Sequence, residues 1–467
     1  MAPAPLIVRL AQARAIMDIC SPTKAVGYLV GVSGLSVEVT GLSCWLSIGD
    51  RLTLRMRDGG NMAGEVIGFR AGHASVMAYA PLAGLGPGSP ATMEPRWNDW
   101  LFATKPGQLA VSNGWLGRII DPIALPLDGN GSLPSGVASR IVHASPPEAT
   151  LRARLGPRID LGIRVLDIFT PIRHGQRLGL FAGSGVGKST LLAMLARYTE
   201  CDVAVVALVG ERGREVREFV EDELGAEGLA RSVVVVATSD SPPLMRREAA
   251  YTAMTIAEYF RDQGKNVLLL MDSVTRFCSA LREIALSMGE PPANRGYPPS
   301  VFAELPRLLE RAGPGFDWAG TKSGQITALF TILVEGDDHN EPVADAIRGL
   351  LDGHIKLDRR IAESGRYPAV DVLGSLSRTA GGSLNNDESS LAKRIRAIMS
   401  LWKDMGEMVR LGVYRPGSDT AVDEATQLMP RIEAALSQAK NERSSLTDSF
   451  NQLKTVLDQS YGSKKIV

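Results

Sequence analysis

The segment from Leu178 to Leu192 constrains this chain more than any other, because it joins an apolar run to a helical pattern through a glycine-rich turn. The glycines can adopt backbone angles that are closed to other residues, so successive N–H groups can point into one cavity. The N-terminus of the following helix adds partial positive charge there. The stretch therefore predicts a loop that binds phosphate groups. Its residues are Gly183, Ser184, Gly185, Val186, Gly187, Lys188, Ser189 and Thr190.

Two side chains of this loop suit a nucleotide that carries a magnesium ion. Lys188 is expected to reach the β- and γ-phosphates, and the hydroxyl of Ser189 to hold Mg²⁺. The strict motif opens with glycine where this chain has Ala182, but Gly183 follows at once and keeps the turn workable. The alternative is a strand-to-helix turn that binds nothing, and the Gly-Lys-Ser run weighs against it. We therefore expect ATP and Mg²⁺ as ligands.

Length and composition fit a multidomain globular protein. The 467 residues predict two or three domains, and 45% hydrophobic residues supply a large core. Lys plus Arg equals Asp plus Glu at 51 each, which argues against a protein that binds nucleic acid by bulk charge. The four cysteines form no CxxC pair, so reduced thiols in a cytosolic protein are expected.

The sequence before the loop divides into a helical start and a β-rich region. Apolar residues over positions 5–20 recur at roughly helical spacing, which predicts an amphipathic helix within 1–25. Packing on its own domain and contact with a partner or a membrane surface are both open for this helix. From 26 to 111, short β-rich runs alternate with turns and predict a small barrel. The runs are Tyr28–Val32, Leu35–Val39, Arg51–Arg55, Glu65–Phe69 and Ala74–Tyr79.

After a turn-rich connector over 112–175, strands and helices alternate. The predicted strands are Val203–Val209, Val233–Ala237, Val267–Met271 and Ile326–Leu333. The predicted helices are Thr190–Tyr198, Glu215–Glu223, Arg246–Gln263 and Val274–Ser287. This alternation predicts a parallel sheet that is covered by helices on both faces, with ligands bound at the carboxyl ends of its strands.

The C-terminal region is predicted to be helical. Helical patterns cover Ser390–Arg410 and Ala421–Val456, and Pro430 is expected to interrupt the second helix because proline lacks a backbone N–H. The tail Tyr461–Lys465 is expected to fray.

Two carboxylates follow predicted strands and suit hydrolysis. Asp272 can hold the Mg²⁺ shell, although a strand-terminal Asp is often a helix cap and Ser273 follows it. Glu211 can orient a water molecule for attack on the γ-phosphate, although it also lies in a run of alternating charges that suits a solvated surface. Composition alone would leave Arg378 as a surface residue.

Four longer runs point to one family: Gly175–Ser189, Val209–Val216, Tyr297–Phe302 and Val334–Pro342. With them, nearly the whole chain resembles the catalytic subunits of rotary-type ATPases, and among these most closely the ATPases of type III protein export, especially the flagellar branch. The resemblance implies that Glu211 is the catalytic carboxylate, that Arg212 neighbours the γ-phosphate and that Arg378 is an arginine finger. It also implies that Tyr367 lies beside the adenine, and that Tyr414 borders the same pocket.

The resemblance implies an α/β fold with three parts after the N-terminal helix. These are a small β-barrel domain over 26–111, a RecA-like P-loop core with a parallel sheet over 112–384, and a C-terminal helical domain over 385–467. In rotary ATP synthases the catalytic carboxylate and the arginine finger belong to different kinds of subunit. Here Glu211 and Arg378 share one chain, so identical copies could complete each other's sites, which favours a homohexameric ring.

The implied function is Mg-dependent ATP hydrolysis that energises type III, flagellar protein export. It includes release of substrates from chaperones and unfolding at the export gate. The implied partners are export regulators, stalk and gate proteins, chaperones and substrates, without nucleic acid. The implied location is the cytoplasm, peripheral to the cytoplasmic face of the inner membrane.

Three other functions stay open at the level of sequence. A subunit of a proton-translocating ATP synthase or vacuolar-type ATPase would share the chemistry, but the run Tyr297–Phe302 and the self-sufficient site count against it. A ring-shaped RNA translocase would need a basic, aromatic-rich barrel. A nucleotide-binding structural subunit would not need all of Lys188, Glu211, Asp272 and Arg378. Flagellar export and a virulence injectisome are not separated by the sequence.

Overall fold

The computed structural model describes residues 25–93, 107–318, 321–334 and 341–462. The predicted N-terminal amphipathic helix lies outside the described residues, apart from Ala25, and most of the run Val334–Pro342 does as well. Within the described ranges, no helix is long and apolar enough to cross a membrane.

The N-terminal part is a closed barrel of six antiparallel strands in the order β1-β2-β5-β4-β3-β6. The strands are β1 (Ala25–Ser33), β2 (Ser36–Thr40), β3 (Arg51–Arg55), β4 (Asn61–Arg70), β5 (His73–Ala78) and β6 (Pro90–Met93). Buried side chains such as Leu29, Val39 and Val76 fill the interior. The five predicted strands are confirmed. The prediction missed β6, a four-residue strand that starts at a proline and pairs with β1 and β3 to close the barrel.

A mainly parallel sheet forms the centre of the core. Its strands are β7 (Ile119–Ile120), β8 (Arg177–Ala182), β9 (Val203–Glu211), β10 (Ser232–Thr238), β11 (Asn266–Asp272), β12 (Gln325–Leu333), β13 (Gly353–Lys356) and β14 (Leu376–Ser377). In space they follow the order β14-β13-β8-β12-β11-β9-β10-β7, in which β14 runs antiparallel to β13. Short antiparallel pieces at Gln108–Leu109, Arg140–Ile141, Gly313–Pro314, Asp317–Trp318 and Thr321–Lys322 add to the periphery.

Helices cover both faces of this sheet. They are α1 (Arg164–Phe169), α2 (Lys188–Tyr198), α3 (Gly213–Glu218), α4 (Gly225–Ala230), α5 (Pro243–Asp262), α6 (Val274–Ser287), α7 (Pro299–Leu309), α8 (Pro342–Leu350) and α9 (Arg359–Glu363). Strand β9 shows why the strands are apolar throughout: Val206 and Leu208 pack in the core that contains α2, while Val205, Ala207 and Val209 pack in the core that contains α5. The predicted helix Glu215–Glu223 is split, because a π-helical stretch, Phe219–Leu224, follows α3.

The C-terminal region consists of α10 (Asn386–Arg410), α11 (Thr420–Leu436) and α12 (Leu446–Gly462). Asn385 begins α10 with a capping box, in which its side chain accepts from the Glu388 N–H and its own N–H donates to the Glu388 carboxylate, both at 2.9 Å. Helices α10, α11 and α12 pack in the same core as α2. The fold is therefore a RecA-like α/β core with an N-terminal barrel and a C-terminal helical region, as expected, while the exact domain boundaries stay predictions.

The predicted interruption at Pro430 is wrong. Pro430 lies inside α11 on its exposed side, and the chain leaves the helix after Leu436 instead. The physical reason is tertiary: the N–H of Gln438 donates to the carbonyl of Tyr367 at 2.8 Å, and its side-chain amide donates to the carbonyl of Gly162 at 2.8 Å. These contacts with the core compete with continuation of the helix.

Candidate active site

The glycine-rich loop leaves β8 at Ala182 and enters α2 at Lys188, as predicted. Gly185 and Gly187 have φ values of +76° and +86°, in the left-handed region that favours glycine. A Cβ atom at Gly187 would also lie 3.3 Å from the ring of Tyr367. The loop therefore has the left-handed backbone conformation that a phosphate cradle needs.

Three charged side chains meet beside this loop, and we call them the strand-end cluster: Lys188, Glu211 and Asp272. The Nζ atom of Lys188 lies 2.5 Å from Oδ1 of Asp272 and 3.0 Å from Oε1 of Glu211. Glu211 ends β9 and Asp272 ends β11, and these two strands are neighbours in the parallel sheet. The carboxyl ends of the strands thus bring together residues that are up to 84 positions apart in sequence.

Burial and charge act in opposite directions on this cluster. Burial lowers the pKa of Lys188, but the carboxylates of Asp272 and Glu211 outweigh it, so that the pKa is raised and the ammonium stays charged. Burial raises the pKa of Asp272, Lys188 opposes this rise, and Glu211 adds to it. The cluster therefore holds a charged lysine through two carboxylates, of which Asp272 is costly to keep ionised.

A β-bulge sets the position of Glu211. The register between β9 and β10 shifts between Val209 and Glu211, and Gly210 in the bulge has a φ of +74°. An extra residue of this kind bends a strand end and redirects its side chain. Glu211 therefore reaches Lys188. Arg212 follows with a side chain that is 77% exposed and pairs with Glu215 at 3.3 Å, so the structure places Arg212 outside the cluster.

Ser273, and not Asp272, caps the helix that follows β11. The side chain of Ser273 accepts from the N–H of Arg276 at the start of α6. Asp272 instead accepts from Lys188 and from the hydroxyl of Thr331, the latter at 2.6 Å. Both partners keep its carboxylate directed at the loop.

Oxygen donors near the loop fit a magnesium ion. Ser189 is exposed in the first turn of α2, directly after Lys188, and the buried carboxylate of Asp272 accepts from Lys188. Hydroxyl and carboxylate oxygens with room for phosphate oxygens are the set that Mg²⁺ uses in nucleotide sites. The chemistry of the donors therefore agrees with the expected Mg²⁺.

The two predicted tyrosines lie in different settings. The ring of Tyr367 lies against the glycine-rich loop at Gly187, and 44% of the residue is exposed. The hydroxyl oxygen of Tyr414 lies 2.9 Å from the carbonyl oxygen of Asp419 and 3.0 Å from Oδ1 of Asp423, and its one proton bonds to either, which holds it at the start of α11. Tyr367 is thus next to the glycine-rich loop, whereas the place of Tyr414 beside a nucleotide pocket stays a prediction.

Arg378 lies near the first residue of β8, whereas the glycine-rich loop follows the last residue of that strand. It follows β14, and its N–H donates to the carbonyl of Asp352 at 3.0 Å. Asp352 in turn pairs with Arg177, the first residue of β8, while the P-loop follows the last residue of β8. The structure therefore does not bring Arg378 to the strand-end cluster of its own chain.

Sequence reasoning missed three residues around the site. Thr331 is a polar residue inside an apolar strand, which was the signal for its bond to Asp272. Arg276 packs against Gly210, the residue before Glu211. A Cβ atom at Gly210 would lie 3.0 Å from the side chain of Arg276. Arg359 donates from Nη2 to the carbonyl of Ser184 at 3.1 Å. The last two carried no signal, because neither belongs to a motif.

Comparison with protein families assigns most of the chain. Residues 162–377 match the nucleotide-binding domain of the ATP synthase alpha/beta family, and residues 23–93 match the β-barrel domain of that family. Residues 384–455 match the T3SS EscN ATPase C-terminal domain. The chain belongs to the ATP synthase alpha/beta family.

Individual relatives narrow the class to ATPases of protein export. The chain is 50% identical over 448 residues to the flagellum-specific ATP synthase of Caulobacter vibrioides, covering 96% of this chain and 99% of that one. It is 44% identical over 433 residues to the type 3 secretion system ATPase of Xanthomonas euvesicatoria, covering 92% and 94%. The assembled ATPase EscN from enteropathogenic E. coli has a TM-score of 0.82 at 36% identity, covering 92% of this chain and 100% of that one. This protein is therefore an ATPase of the type III export class.

Proposed function

We propose that this chain hydrolyses Mg-ATP in a ring of six identical copies, and that this hydrolysis energises type III protein export of the flagellar kind. The observation that carries the proposal is the strand-end cluster, in which Lys188 is held between Glu211 and Asp272 beside the glycine-rich loop. The flagellum-specific ATP synthase of Caulobacter vibrioides is 50% identical to this chain, against 44% for the type 3 secretion system ATPase of Xanthomonas euvesicatoria, and this difference supports flagellar export over an injectisome.

The residues of this chain would act in separate ways on ATP. Backbone N–H groups of the loop bind the phosphates, and Lys188 exchanges its carboxylate partners for phosphate oxygens. This exchange releases Glu211, which then orients the attacking water and accepts its proton. Ser189 and Asp272 would hold Mg²⁺, which neutralises phosphate charge when bound. The ring of Tyr367 offers an apolar face to the adenine.

Arg378 would serve the site of a neighbouring copy. Five residue steps along β8 separate the level of Asp352 from the P-loop, and at about 3.3 Å per residue this is about 17 Å. An arginine side chain is too short for that distance. Because Arg378 is exposed at this edge, its guanidinium is available to a second copy packed against it.

A buried hydrogen-bond network supports this edge. Gln176 is fully buried just before β8, and its amide donates to the hydroxyl of Ser377 at 3.0 Å. The Gln176 carbonyl accepts from the hydroxyl of Thr379 at 2.8 Å. The two residues that flank Arg378 are thus fixed to the root of the P-loop strand, which is the rigidity that a finger needs.

Solved structures of a similar protein support an assembly with a stalk. The assembled EscN in complex with its central stalk EscO has a TM-score of 0.80 to this chain at 36% identity. The proposed partners are accordingly a stalk protein, export regulators, gate proteins, chaperones and their substrates. The proposed location is the cytoplasmic face of the inner membrane.

The experiment that tests the shared site mixes two inactive variants, Glu211→Gln and Arg378→Ala. In mixed rings some interfaces pair an intact Glu211 of one chain with an intact Arg378 of the next, so partial ATPase activity should return. Alone, the Arg378→Ala variant should lose roughly 10³-fold in turnover while it still binds ATP.

The matched control mixes Arg378→Ala with the double variant Glu211→Gln/Arg378→Ala, which contains no intact pair and should stay inactive. Co-purification on two different tags must show that mixed rings form. Absence of rescue in such rings would mean that Arg378 acts in its own chain or not at all, and would overturn the shared site.

A further inference from the structure

The backbone around Tyr367 is shaped by a buried arginine next to it in sequence. Arg366 is 4% exposed, and its guanidinium donates to the carbonyls of Pro368 at 3.1 Å and Val370 at 2.8 Å. These two bonds fold the segment 366–370 around the arginine. The position of the Tyr367 ring therefore depends on where the Arg366 guanidinium is held.

The C-terminal helical region holds that guanidinium. Oε2 of Glu433, on α11, lies 2.5 Å from Nε of Arg366. Burial lowers the pKa of Arg366, and Glu433 is the largest of the influences that oppose this. Without Glu433 the buried charge would lose its closest compensation, and the segment would shift toward solvent to recover it.

A second contact from the same region reaches Tyr367 itself. The N–H of Gln438 donates to the Tyr367 carbonyl at 2.8 Å. Gln438 is 3% exposed, and its side-chain amide is fixed to the core by bonds with Gly162 and with the N–H of Arg164. Tyr367 is thus held on one side by Glu433 through Arg366 and on the other by Gln438.

The other side of the tyrosine ring faces the phosphate loop. Its Cδ1 and Cε1 atoms lie 3.3 Å from the Cβ position of Gly187, and 44% of the residue is exposed. A planar, half-exposed ring at the edge of a phosphate loop suits stacking with a nucleobase.

We propose that Glu433 and Gln438 are positioning residues for Tyr367, through which the C-terminal helical region sets the affinity of the site for the base of its nucleotide. The proposal rests on the proposed function, because it requires that ATP binds at the P-loop. It assigns a role in base recognition, rather than in phosphate chemistry, to two residues of the C-terminal helical region.

The test uses the full-length chain with Glu433→Gln and a matched control, Glu424→Gln. Glu424 is on the same helix, is similarly exposed (39% against 35%), and pairs with Arg394 at 2.6 Å within the C-terminal region. Two probes are titrated: a ribose-labelled fluorescent ADP, and inorganic tripolyphosphate, which has no base and is measured by its inhibition of ATP hydrolysis. The variant Glu433→Asp keeps the charge.

Glu433→Gln should bind the labelled ADP about 5-fold more weakly, because a displaced Tyr367 would lose part of the free energy of stacking on the base. KM for ATP should rise by a similar factor while kcat changes little, and tripolyphosphate inhibition should stay unchanged. Glu424→Gln should behave as the parent, and Glu433→Asp should recover most of the affinity. Tyr367→Ala should show the same base-selective loss, and a larger one.

Two results would overturn the inference while leaving the proposed function in place. One is unchanged binding of labelled ADP by Glu433→Gln. The other is an equal loss for labelled ADP and tripolyphosphate, in Glu433→Asp as well as in Glu433→Gln, which would show general damage to the site. If the parent chain itself gave no saturable ADP binding, or if Lys188→Ala bound ADP as the parent does, the proposed function would fail instead.

Discussion

Two buried clusters in this molecule share a composition of one cation between two carboxylates, yet their surroundings differ. The strand-end cluster has a lysine beside the glycine-rich loop. The second, which we call the junction cluster, consists of Arg247, Glu65 and Glu248. Glu65 belongs to barrel strand β4, whereas Arg247 and Glu248 belong to α5, so this cluster joins the barrel to the core.

The carboxylates of the junction cluster are occupied by donors of the protein. Arg247 donates from Nη2 to both oxygens of Glu65, at 2.8 and 2.7 Å, and to Glu248 at 2.7 Å. The hydroxyl of Tyr79 donates to Glu65 at 2.5 Å, and Nε2 of His143 lies 2.8 Å from Glu248. Glu248 is fully buried, and its pKa is lowered to about 2: burial alone would raise it, but the charge of Arg247 and the hydrogen bond with His143 outweigh burial.

The difference shows which kind of charged cluster can exchange partners. Arginine offers a rigid fork of donors that binds carboxylates with defined geometry, while lysine is a point charge on a flexible stem. Lys188 is held next to a backbone cradle, so phosphate oxygens can replace its carboxylates. Arg247 has no such cradle beside it in the described contacts. We therefore expect the strand-end cluster to control activity and the junction cluster to control stability.

The largest expected effect comes from Lys188→Ala. ATP turnover should fall roughly 10⁴-fold, because the phosphates lose a positive charge of the kind that an arginine finger supplies. ATP binding should weaken as well. The free energy of unfolding should change less than in a junction variant, because Asp272 can take up a proton and Thr331 still donates to it. Steady-state hydrolysis and urea unfolding of the same preparation measure both effects.

Turnover near the parental rate in Lys188→Ala would show that the glycine-rich loop was misassigned. If the variant lost its fold together with its activity, the strand-end cluster would control stability as well, and the two clusters would not differ in role. Circular dichroism of the variant at matched concentration separates these outcomes.

The strand-end cluster could be predicted from the sequence, because its members stand where apolar strands end in turns. Glu211 and Asp272 follow valine- and leucine-rich runs, and Lys188 closes a glycine-rich motif. Parallel strands align such ends at one edge of the sheet, so that sequence position translates into proximity. Periodicity likewise predicted five of the six barrel strands.

The junction cluster could not be predicted in this way. Arg247 and Glu65 are 182 positions apart and belong to no motif, and their pairing depends on how the barrel is placed on the core. The same limit explains the error at Pro430, since α11 ends where Gln438 contacts the core and not where a local rule places a break. Contacts between domains leave no local pattern in the chain.

The second prediction concerns stability. Arg247→Met should lower the free energy of unfolding by about 3 kcal/mol, because Glu65 and Glu248 would remain buried without their cation. The control is Arg140→Met, which removes a half-exposed ion pair with Asp262 of the same helix and should cost less than about 1 kcal/mol. Urea unfolding under conditions that keep the chain monomeric measures both.

The molecules of Arg247→Met that stay folded should keep turnover per site within a few-fold of the parent. If the variant were as stable as the parent but inactive, the roles assigned to the two clusters would be reversed.

The smallest expected effect is the dependence of the junction cluster on pH. The pKa of Glu248 is about 2 in the folded chain against 4.5 in its ordinary state, so its contribution to stability is present above pH 4.5 and is lost as the pH falls toward 2. Between pH 6 and pH 4 the free energy of unfolding of the parent should therefore fall by about 1 kcal/mol more than that of Glu248→Gln, whose side chain at this position does not titrate. Urea unfolding of both proteins at pH 6, 5 and 4 measures the difference in stability between them, which should narrow as the pH falls. A constant gap would mean that Glu248 is not held ionised by Arg247 and His143, and the junction would then be maintained by its apolar contacts, such as Tyr79 with Leu244.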